Sequence, residues 1–206
     1  VFAQLSHPGR EMTLAADGTH PVAYAPSTVP NERFHVVPRE LPLLLIKEII
    51  DGFEVSAAHM RQAGLDGVEL VASHGYLLGQ FLNSNINQRS DAYGGSRAGR
   101  MRFLQEAIAA TRRGAGEDMV LGVRLSGEEK DHHGVEIDEM LEVCAAMDAN
   151  PALDYLNVTA GTSAGLAGST HIVPPMAYEA AYTAPIAAAI KARVSKPVFV
   201  AGRINQ

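Results

Sequence analysis

Short apolar runs separated by helix-length segments are the feature that most limits how this chain can fold. The runs are rich in Val, Leu and Ile and lie at residues 1–5, 67–72, 120–125, 155–159 and 198–201. Their nearly continuous apolar character is typical of strands buried on both faces, as in a parallel sheet. We therefore predict one strand at each run.

Segments with helical periodicity lie between these runs. Apolar residues recur at intervals of three and four from Leu45 to Met60, and Gly64 supplies a stop signal, which predicts a helix at 39–64. Similar helices are predicted at 99–113, 137–149 and 178–194. Because strands and helices alternate, the predicted fold class is α/β, and its right-handed crossovers suit either an open sheet or a barrel.

The segments that follow the strands are long and polar, whereas the returns from helix to strand are short. The long segments are residues 6–38, 73–97, 126–136 and 160–176. They crowd the carboxyl ends of the strands, where barrels and open α/β enzymes alike place their chemistry. A catalytic site is expected at that edge.

Composition excludes several other classes of protein. The 206 residues, 47% of them apolar, suffice for one globular domain, and a formal charge of −6 argues against a nucleic-acid partner. Neither a membrane-length apolar run nor a signal peptide is visible, so we expect a cytoplasmic protein without a membrane partner. The single cysteine, Cys144, is predicted to pack on a helix. Both ends of the chain fall in or beside apolar runs, and we expect both to be truncated.

His74 and Tyr76 are the first candidates for chemistry, because they come directly after the predicted strand at 67–72. A neutral imidazole and a phenol can donate to a carbonyl, bind an amine or relay a proton. From the residues alone, a structural role is the commoner one for such a pair. The polar residues that follow are expected to form a surface loop; they are Asn85, Asn87, Arg89, Asp91 and Tyr93.

Asp131, His132 and His133 are consecutive residues of types that commonly bind metal ions. Because the two histidines are adjacent, we expect their side chains to diverge. A solvated loop without a metal ion is the favoured interpretation.

Residues 74–103, HGYLLGQFLNSNINQRSDAYGGSRAGRMRF, resemble the signature of the old yellow enzyme family of FMN oxidoreductases. Three further motifs match that family in order: QLSHPGR at 4–10, LGVRLSG at 121–127 and PVFVAGRI at 197–204. The resemblance covers essentially the whole chain. It implies a (β/α)8 TIM barrel, with residues 1–206 as a partial FMN-binding barrel domain from about the third strand to the seventh.

The resemblance also implies cofactor-binding residues. Gln4 would meet the polar pyrimidine edge of the flavin, and Arg124 would place a positive charge beside its N1–C2 carbonyl region. Gly202 and Arg203 would begin the phosphate site, since glycine admits backbone N–H groups and arginine forks onto phosphate.

Val71 departs from the pattern of the enone-reducing members, in which two nitrogen-bearing side chains three residues apart bind the substrate carbonyl. His74 supplies the second donor and Tyr76 the proton donor, but Val71 cannot form the first hydrogen bond. The chain looks closer to the trimethylamine dehydrogenase and 2,4-dienoyl-CoA reductase branch. QLSHPGR together with VASHGY, NVTAGTSAG and HIVPPM most resembles the N-methylproline demethylases.

In that branch the implied reaction is oxidative demethylation of a small N-methylated amine or amino acid, by hydride transfer to flavin N5. His74 and Tyr76 would orient the amine. His171 would assist proton transfer, as a histidine from this region does in the dienoyl-CoA reductases. Val71 and Thr159 would line the substrate pocket.

Two alternatives stay open. One is an NAD(P)H-dependent reductase of enoates or 2,4-dienoyl-CoA, and the other is a catalytically inactive barrel fragment with unpaired strand edges. The amine branch often carries a 4Fe-4S cluster in a C-terminal part outside these residues. The expected partner is a small-molecule substrate, and the sequence is compatible with a homo-oligomer.

Overall fold

The computed structural model describes residues 1–12, 17–19 and 21–205. Its elements, in chain order, are β1 (Phe2–Leu5), β2 (Tyr24–Ala25), β3 (Arg39–Glu40), α1 (Leu43–Gln62), β4 (Gly67–Ala72), α2 (Leu77–Leu82), α3 (Arg97–Ala115), β5 (Val120–Glu128), α4 (Ile137–Asp148), β6 (Tyr155–Ala160), α5 (Leu166–Ser169), α6 (Ala184–Lys191) and β7 (Val198–Val200).

A parallel sheet with the strand order β1-β4-β5-β6-β7 forms the centre of the molecule. All four neighbouring pairs are parallel, and a helix lies between each strand and the next. The predicted α/β class and all five predicted strands are confirmed. β5 extends three residues beyond its predicted end, to Glu128, with a register shift between Ser126 and Glu128.

The hydrophobic core lies between one face of this sheet and the helices. Alternate residues of the central strands enter it, such as Leu70 of β4, Val123 of β5 and Val158 of β6, each with no exposed surface. From the helices, Phe81 and Phe103 pack with ring centroids 4.4 Å apart. Since side chains alternate along a strand, the intervening residues face the opposite side of the sheet.

Two helix boundaries differ from the predictions. The helix predicted at 39–64 begins at Leu43, because Pro42 disfavours a helical backbone at the residue before it. The helix predicted at 178–194 is α6, which starts at Ala184 with proline in its first turn, the one place where that residue suits a helix. The predictions for α3 and α4 hold to within two residues.

The segment after β4 is more buried than the sequence suggested. All six residues of α2 are buried, and so are Asn87 and Arg89, which makes the surface-loop prediction wrong for those two residues. Arg89 Nη1 donates to the carbonyls of Pro26 and Leu41, at 3.0 and 2.8 Å. The loop is therefore anchored to the segment that carries β2 and β3.

Cys144 packs with no exposed surface on α4, as predicted, and burial raises the pKa of its thiol to about 12. Across the described ranges, the helices are too short or too polar to cross a membrane.

Candidate active site

The sheet face opposite the helix-packed core carries the polar residues. In register across the strands, Gln4 of β1 is followed by Glu69 of β4, Gly122 of β5 and Tyr155 of β6. The next row toward the carboxyl ends contains Val71, Arg124, Asn157 and Phe199. These two rows bring together three of the predicted site residues, Gln4, Val71 and Arg124.

Glu69 organises the lower row and was not singled out from the sequence. Gln4 Nε2 donates to Glu69 Oε1 at 2.6 Å, and Tyr155 Oη and Asn157 Nδ2 each donate to Glu69 Oε2 at 2.9 Å. Three donors satisfy a carboxylate that is only 4% exposed. The sequence held a signal for it, since a glutamate in the run GVELVA is out of place unless it is paired.

Gly122 makes room for this network. A Cβ at position 122 would lie 2.0 Å from the Tyr155 ring, so any other residue would displace the phenol that reaches Glu69. The polar groups of this row therefore depend on a strand position without a side chain.

Arg124 lies in the upper row, half-buried, between Val71 and Asn157 in register. Its Nε is buried and has no hydrogen-bond partner within the described part of the chain, and neither has Asn157 Oδ1. Because a buried polar atom left unpaired costs about 1–3 kcal/mol, these atoms indicate a place where a ligand with complementary polar groups would bind.

His74 is held rigidly at the end of β4. Its backbone N–H donates to Ser126 Oγ at 2.9 Å, and its carbonyl accepts from the N–H and Oγ of Ser163, at 2.9 and 2.8 Å. Its φ of 61° lies in the left-handed region, which non-glycine residues seldom adopt. Hydrogen bonds to the end of β5 and to the segment after β6 therefore fix the backbone of His74.

The imidazole of His74 is uncharged at neutral pH. Burial, and after it the positive charge of Arg124, lower its pKa from 6.5 to about 4. Its Nδ1 is buried with no partner from the residues the structure describes. A neutral, pre-positioned ring of this kind can donate or accept one hydrogen bond with a ligand.

Tyr76 lies beside His74, as the sequence led us to expect. The two ring centroids are 6.4 Å apart at an interplanar angle of 83°, and α2 begins directly after the tyrosine. Val71 and Thr159 are both buried on the same face, with 4% and 2% of their surface exposed.

His171 lies in the segment after β6, within an aromatic cluster. Its ring centroid is 4.7 Å from that of Tyr178 and 5.8 Å from that of Tyr182, and its Nδ1 is 3.0 Å from the Ala167 carbonyl oxygen. The hydroxyl of Tyr182 donates to the His171 carbonyl. This histidine therefore belongs to a packed cluster rather than to an open loop.

Gly202 and Arg203 come directly after β7. The φ of Gly202 is 136°, and a Cβ there would lie 2.5 Å from the Thr183 side chain, so both backbone and packing require glycine. Arg203 Nη1 donates to the Pro175 carbonyl at 3.3 Å, while its buried Nε has no partner among the described residues.

His132 and His133 do not diverge, contrary to the expectation from their adjacency. Their ring centroids are 4.1 Å apart. Adjacent side chains diverge in extended backbone, but these two residues lie in a turn closed by a hydrogen bond from Gly134 N to the Asp131 carbonyl at 2.9 Å.

A parallel α/β sheet with polar groups gathered at the carboxyl ends of its strands is the arrangement of a βα-barrel enzyme. Residues 1–206 match the NADH:flavin oxidoreductase / NADH oxidase family, and the chain belongs to that family. The resemblance to old yellow enzymes is thereby confirmed.

Curated relatives include an NADH oxidase of Thermoanaerobacter brockii, 35% identical over the whole chain and 31% of the relative. A probable N-methylproline demethylase of Rhizobium meliloti is 31% identical over 99% of the chain and 30% of the relative. The chain thus spans about a third of the length of these relatives.

Comparison with solved structures supports the same family assignment. A 2-naphthoyl-CoA reductase complex matches with a TM-score of 0.84 at 27% identity, covering 100% of this chain and 32% of that one. An old yellow enzyme homologue from Zymomonas mobilis matches with a TM-score of 0.77 at 24% identity, covering 99% and 57%. The chain therefore has the fold of part of an old yellow enzyme TIM barrel.

Proposed function

We propose that this chain forms the flavin and substrate face of an FMN-dependent oxidoreductase that oxidatively demethylates a small N-methylated amine or amino acid. The observation that carries the proposal is a combination at one strand edge: an Arg124 Nε without a partner among the described residues, a neutral His74 and an apolar Val71.

The residues present fit FMN. Arg124 and Arg203 each have a buried Nε without a partner in the described ranges, and Asn157 has an unpaired buried oxygen near the first of them. Gln4 is exposed, and because its Nε2 is engaged by Glu69, its Oε1 is left to accept a hydrogen bond. Gln4 and Arg124 would hold the flavin ring, and Gly202 and Arg203 its phosphate.

FMN, when bound, supplies the electron sink that takes a hydride equivalent from the N-methyl carbon at its N5. His74 and Tyr76 would hold the amine nitrogen by hydrogen bonds. Since His74 is uncharged, it does not repel a cationic amine on its way into the site. The amine would give up its ammonium proton to water before the hydride leaves, because only the neutral amine has the lone pair that forms the iminium bond. Val71 would pack against the methyl group. Water would add to the resulting iminium carbon and release formaldehyde and the demethylated amine.

His171 and Thr159 complete the proposed site. Thr159 would line the substrate pocket from β6, and His171 would assist proton transfer from the segment that follows. The aromatic cluster around His171 favours a fixed ring, which suits a positioned acid or base.

The test uses the full-length protein. We expect it to purify yellow, and N-methylproline added without oxygen should bleach the flavin absorbance. Proline, which has no N-methyl group, is the matched control and should leave the flavin oxidised. A colourless protein would overturn FMN binding, whereas a yellow protein that ignores N-methyl amines would overturn only the demethylation.

The second candidate is an NAD(P)H-dependent reductase of enoates or 2,4-dienoyl-CoA. It is supported by the paired donors His74 and Tyr76, whose rings lie edge to face and could serve one substrate carbonyl. Rapid bleaching by NADH or NADPH, followed by reoxidation with an enone or a dienoyl-CoA, would favour this reductase over the demethylase.

A further inference from the structure

The turn that follows β5 is anchored so that two imidazoles lie side by side. Asn83 Nδ2 and Asn85 Nδ2 donate to the His133 carbonyl, at 2.8 and 3.2 Å. The rings of His132 and His133 are both exposed, with an interplanar angle of 43°. Nothing in the proposed flavin site uses these two side chains.

Glu32 approaches the same point from the segment between β2 and β3. One possible ligand atom from each of Glu32, His132 and His133 lies within 4.8 Å of the other two. The neighbouring Asn31 is 1% exposed and fixed, because its Nδ2 donates to Glu11 Oε1 at 2.8 Å and its backbone N–H to the Val36 carbonyl. The carboxylate therefore projects from a well-anchored backbone.

Asp131 supplies a second, independent observation. Its side chain is only 7% exposed, and its Oδ1 lies 3.1 Å from His132 Nδ1. Its Oδ2 accepts from the backbone N–H of Gly168 at 3.4 Å. A carboxylate on the Nδ1 side of a histidine ring leaves the Nε2 lone pair on the other side available to an ion, as in the carboxylate–histidine pairs of metal sites.

The donor set selects a class of metal. Two imidazoles and one carboxylate suit zinc and related divalent transition metals, whereas magnesium and calcium prefer oxygen ligands alone. We propose that Glu32, His132 and His133 bind one divalent transition-metal ion of the zinc class, with Asp131 as a positioning residue for His132.

The three ligands line a cavity of about 430 Å³ whose wall also includes Arg10 and Glu129. With only three protein ligands, the ion keeps a coordination position that water or a small anion from the cavity can fill. The ion would also tie the segment between β2 and β3 to the turn after β5, and so stabilise the loops at this edge.

The experiment is calorimetric titration of Zn²⁺ into the metal-stripped full-length protein and its variants. We expect a site of one-to-one stoichiometry that His132→Ala and His133→Ala weaken by about 100-fold or more, and that Asp131→Asn weakens by about 10-fold. Glu32→Gln keeps the size of the side chain and should weaken binding about 10-fold or more.

His59→Ala is the matched control, because it removes an exposed histidine of α1 outside the cluster and should leave the site unchanged. In a thermal melt, Zn²⁺ should raise the Tm of the unmodified protein and of His59→Ala, but not that of His132→Ala or His133→Ala. Metal-free melting temperatures equal to that of the parent would show that the variants fold.

The proposal is overturned if the parent protein binds no Zn²⁺ at about millimolar concentration, or if all variants bind it equally. If His132→Ala and His133→Ala lose affinity for Zn²⁺ while Asp131→Asn binds as tightly as the parent, the two histidines remain ligands and the positioning role of Asp131 is overturned. Flavin content is measured in parallel, since it should be the same in every variant.

Discussion

The two faces of the sheet are built on different principles. On the helix-packed face, Leu70, Val123 and Val158 are fully buried among apolar neighbours, with no polar atom to satisfy. On the opposite face, Glu69 is satisfied by three donors, while Arg124 Nε has no partner among the described residues. The first face supplies stability, and the second keeps unsatisfied groups that a ligand can use.

The largest effect on stability is expected on the packed face. Phe103→Ala removes a ring with no exposed surface that packs 4.4 Å from Phe81, and should lower the free energy of unfolding by about 3–5 kcal/mol. Urea denaturation, monitored by far-UV circular dichroism, measures this free energy. Phe103→Leu, as a control, should cost roughly 1 kcal/mol. Equal losses for the two would mean that the site collapses around either residue.

The second effect comes from His74 on the polar face. Its folded pKa, about 4, is below its unfolded value of 6.5, so the unfolded state binds the proton first as the pH falls. The protein should therefore lose stability between about pH 6.5 and pH 4, by up to about 3 kcal/mol from this residue.

His74→Asn tests this, because asparagine tolerates the same left-handed backbone but does not titrate. Glu11 and Glu129, whose pKa values burial raises to about 7, titrate in both proteins and cancel in the difference. If the stabilities of the parent and the variant ran parallel across this pH range, the assigned shift would be wrong.

The third effect concerns which reaction the polar face supports. Val71→His adds the missing hydrogen-bond donor to the substrate carbonyl, at the position in register with Arg124. It should raise kcat/KM for enone reduction by about 100-fold and lower kcat/KM for amine oxidation. Steady-state kinetics with both substrates measure the change. Val71→Ile keeps the position apolar and should leave the preference as it is. An unchanged preference in Val71→His would remove Val71 as the determinant.

The smallest effect is expected from Tyr155→Phe, which keeps the ring and removes one donor to Glu69. A hydrogen bond to a charged group contributes about 2 kcal/mol, and Glu69 keeps two other donors. Tyr178→Phe is the control, because the Tyr178 hydroxyl is hydrogen-bonded to the exposed Thr170. This change should lower the free energy of unfolding by less than about 0.5 kcal/mol. Similar losses for both would contradict the central role of Glu69.

Much of the packed face could be predicted from the sequence. Continuous apolar runs locate all five strands of the central sheet, because strands buried on both faces leave that pattern, but they give no sign of the short pair β2 and β3. The first residues of α1 and α6 were predicted wrongly. Pro42 and Pro185 carry the information needed to place both, because proline is favoured where a helix begins.

The polar face and the loop after α2 were harder to predict, because their contacts join residues far apart in the chain. The carbonyls that hold Arg89 come from Pro26 and Leu41, and no local periodicity connects them. The same is true of Glu69 and its partners on three other strand positions. His74 and Tyr76 were located through a motif, but the depressed pKa of His74 depends on burial beside Arg124, which only the fold shows.

The left-handed backbone of His74 also limits which residues selection can place there. At a φ of 61°, Gly, Asn, Asp and His are the residues favoured, and β-branched residues fit worst. Of those four, only His and Asn carry a side-chain N–H that can face a substrate. Among the active clones of a saturation library at this position, His and Asn should therefore be the most frequent residues, whatever substrate is used for the screen.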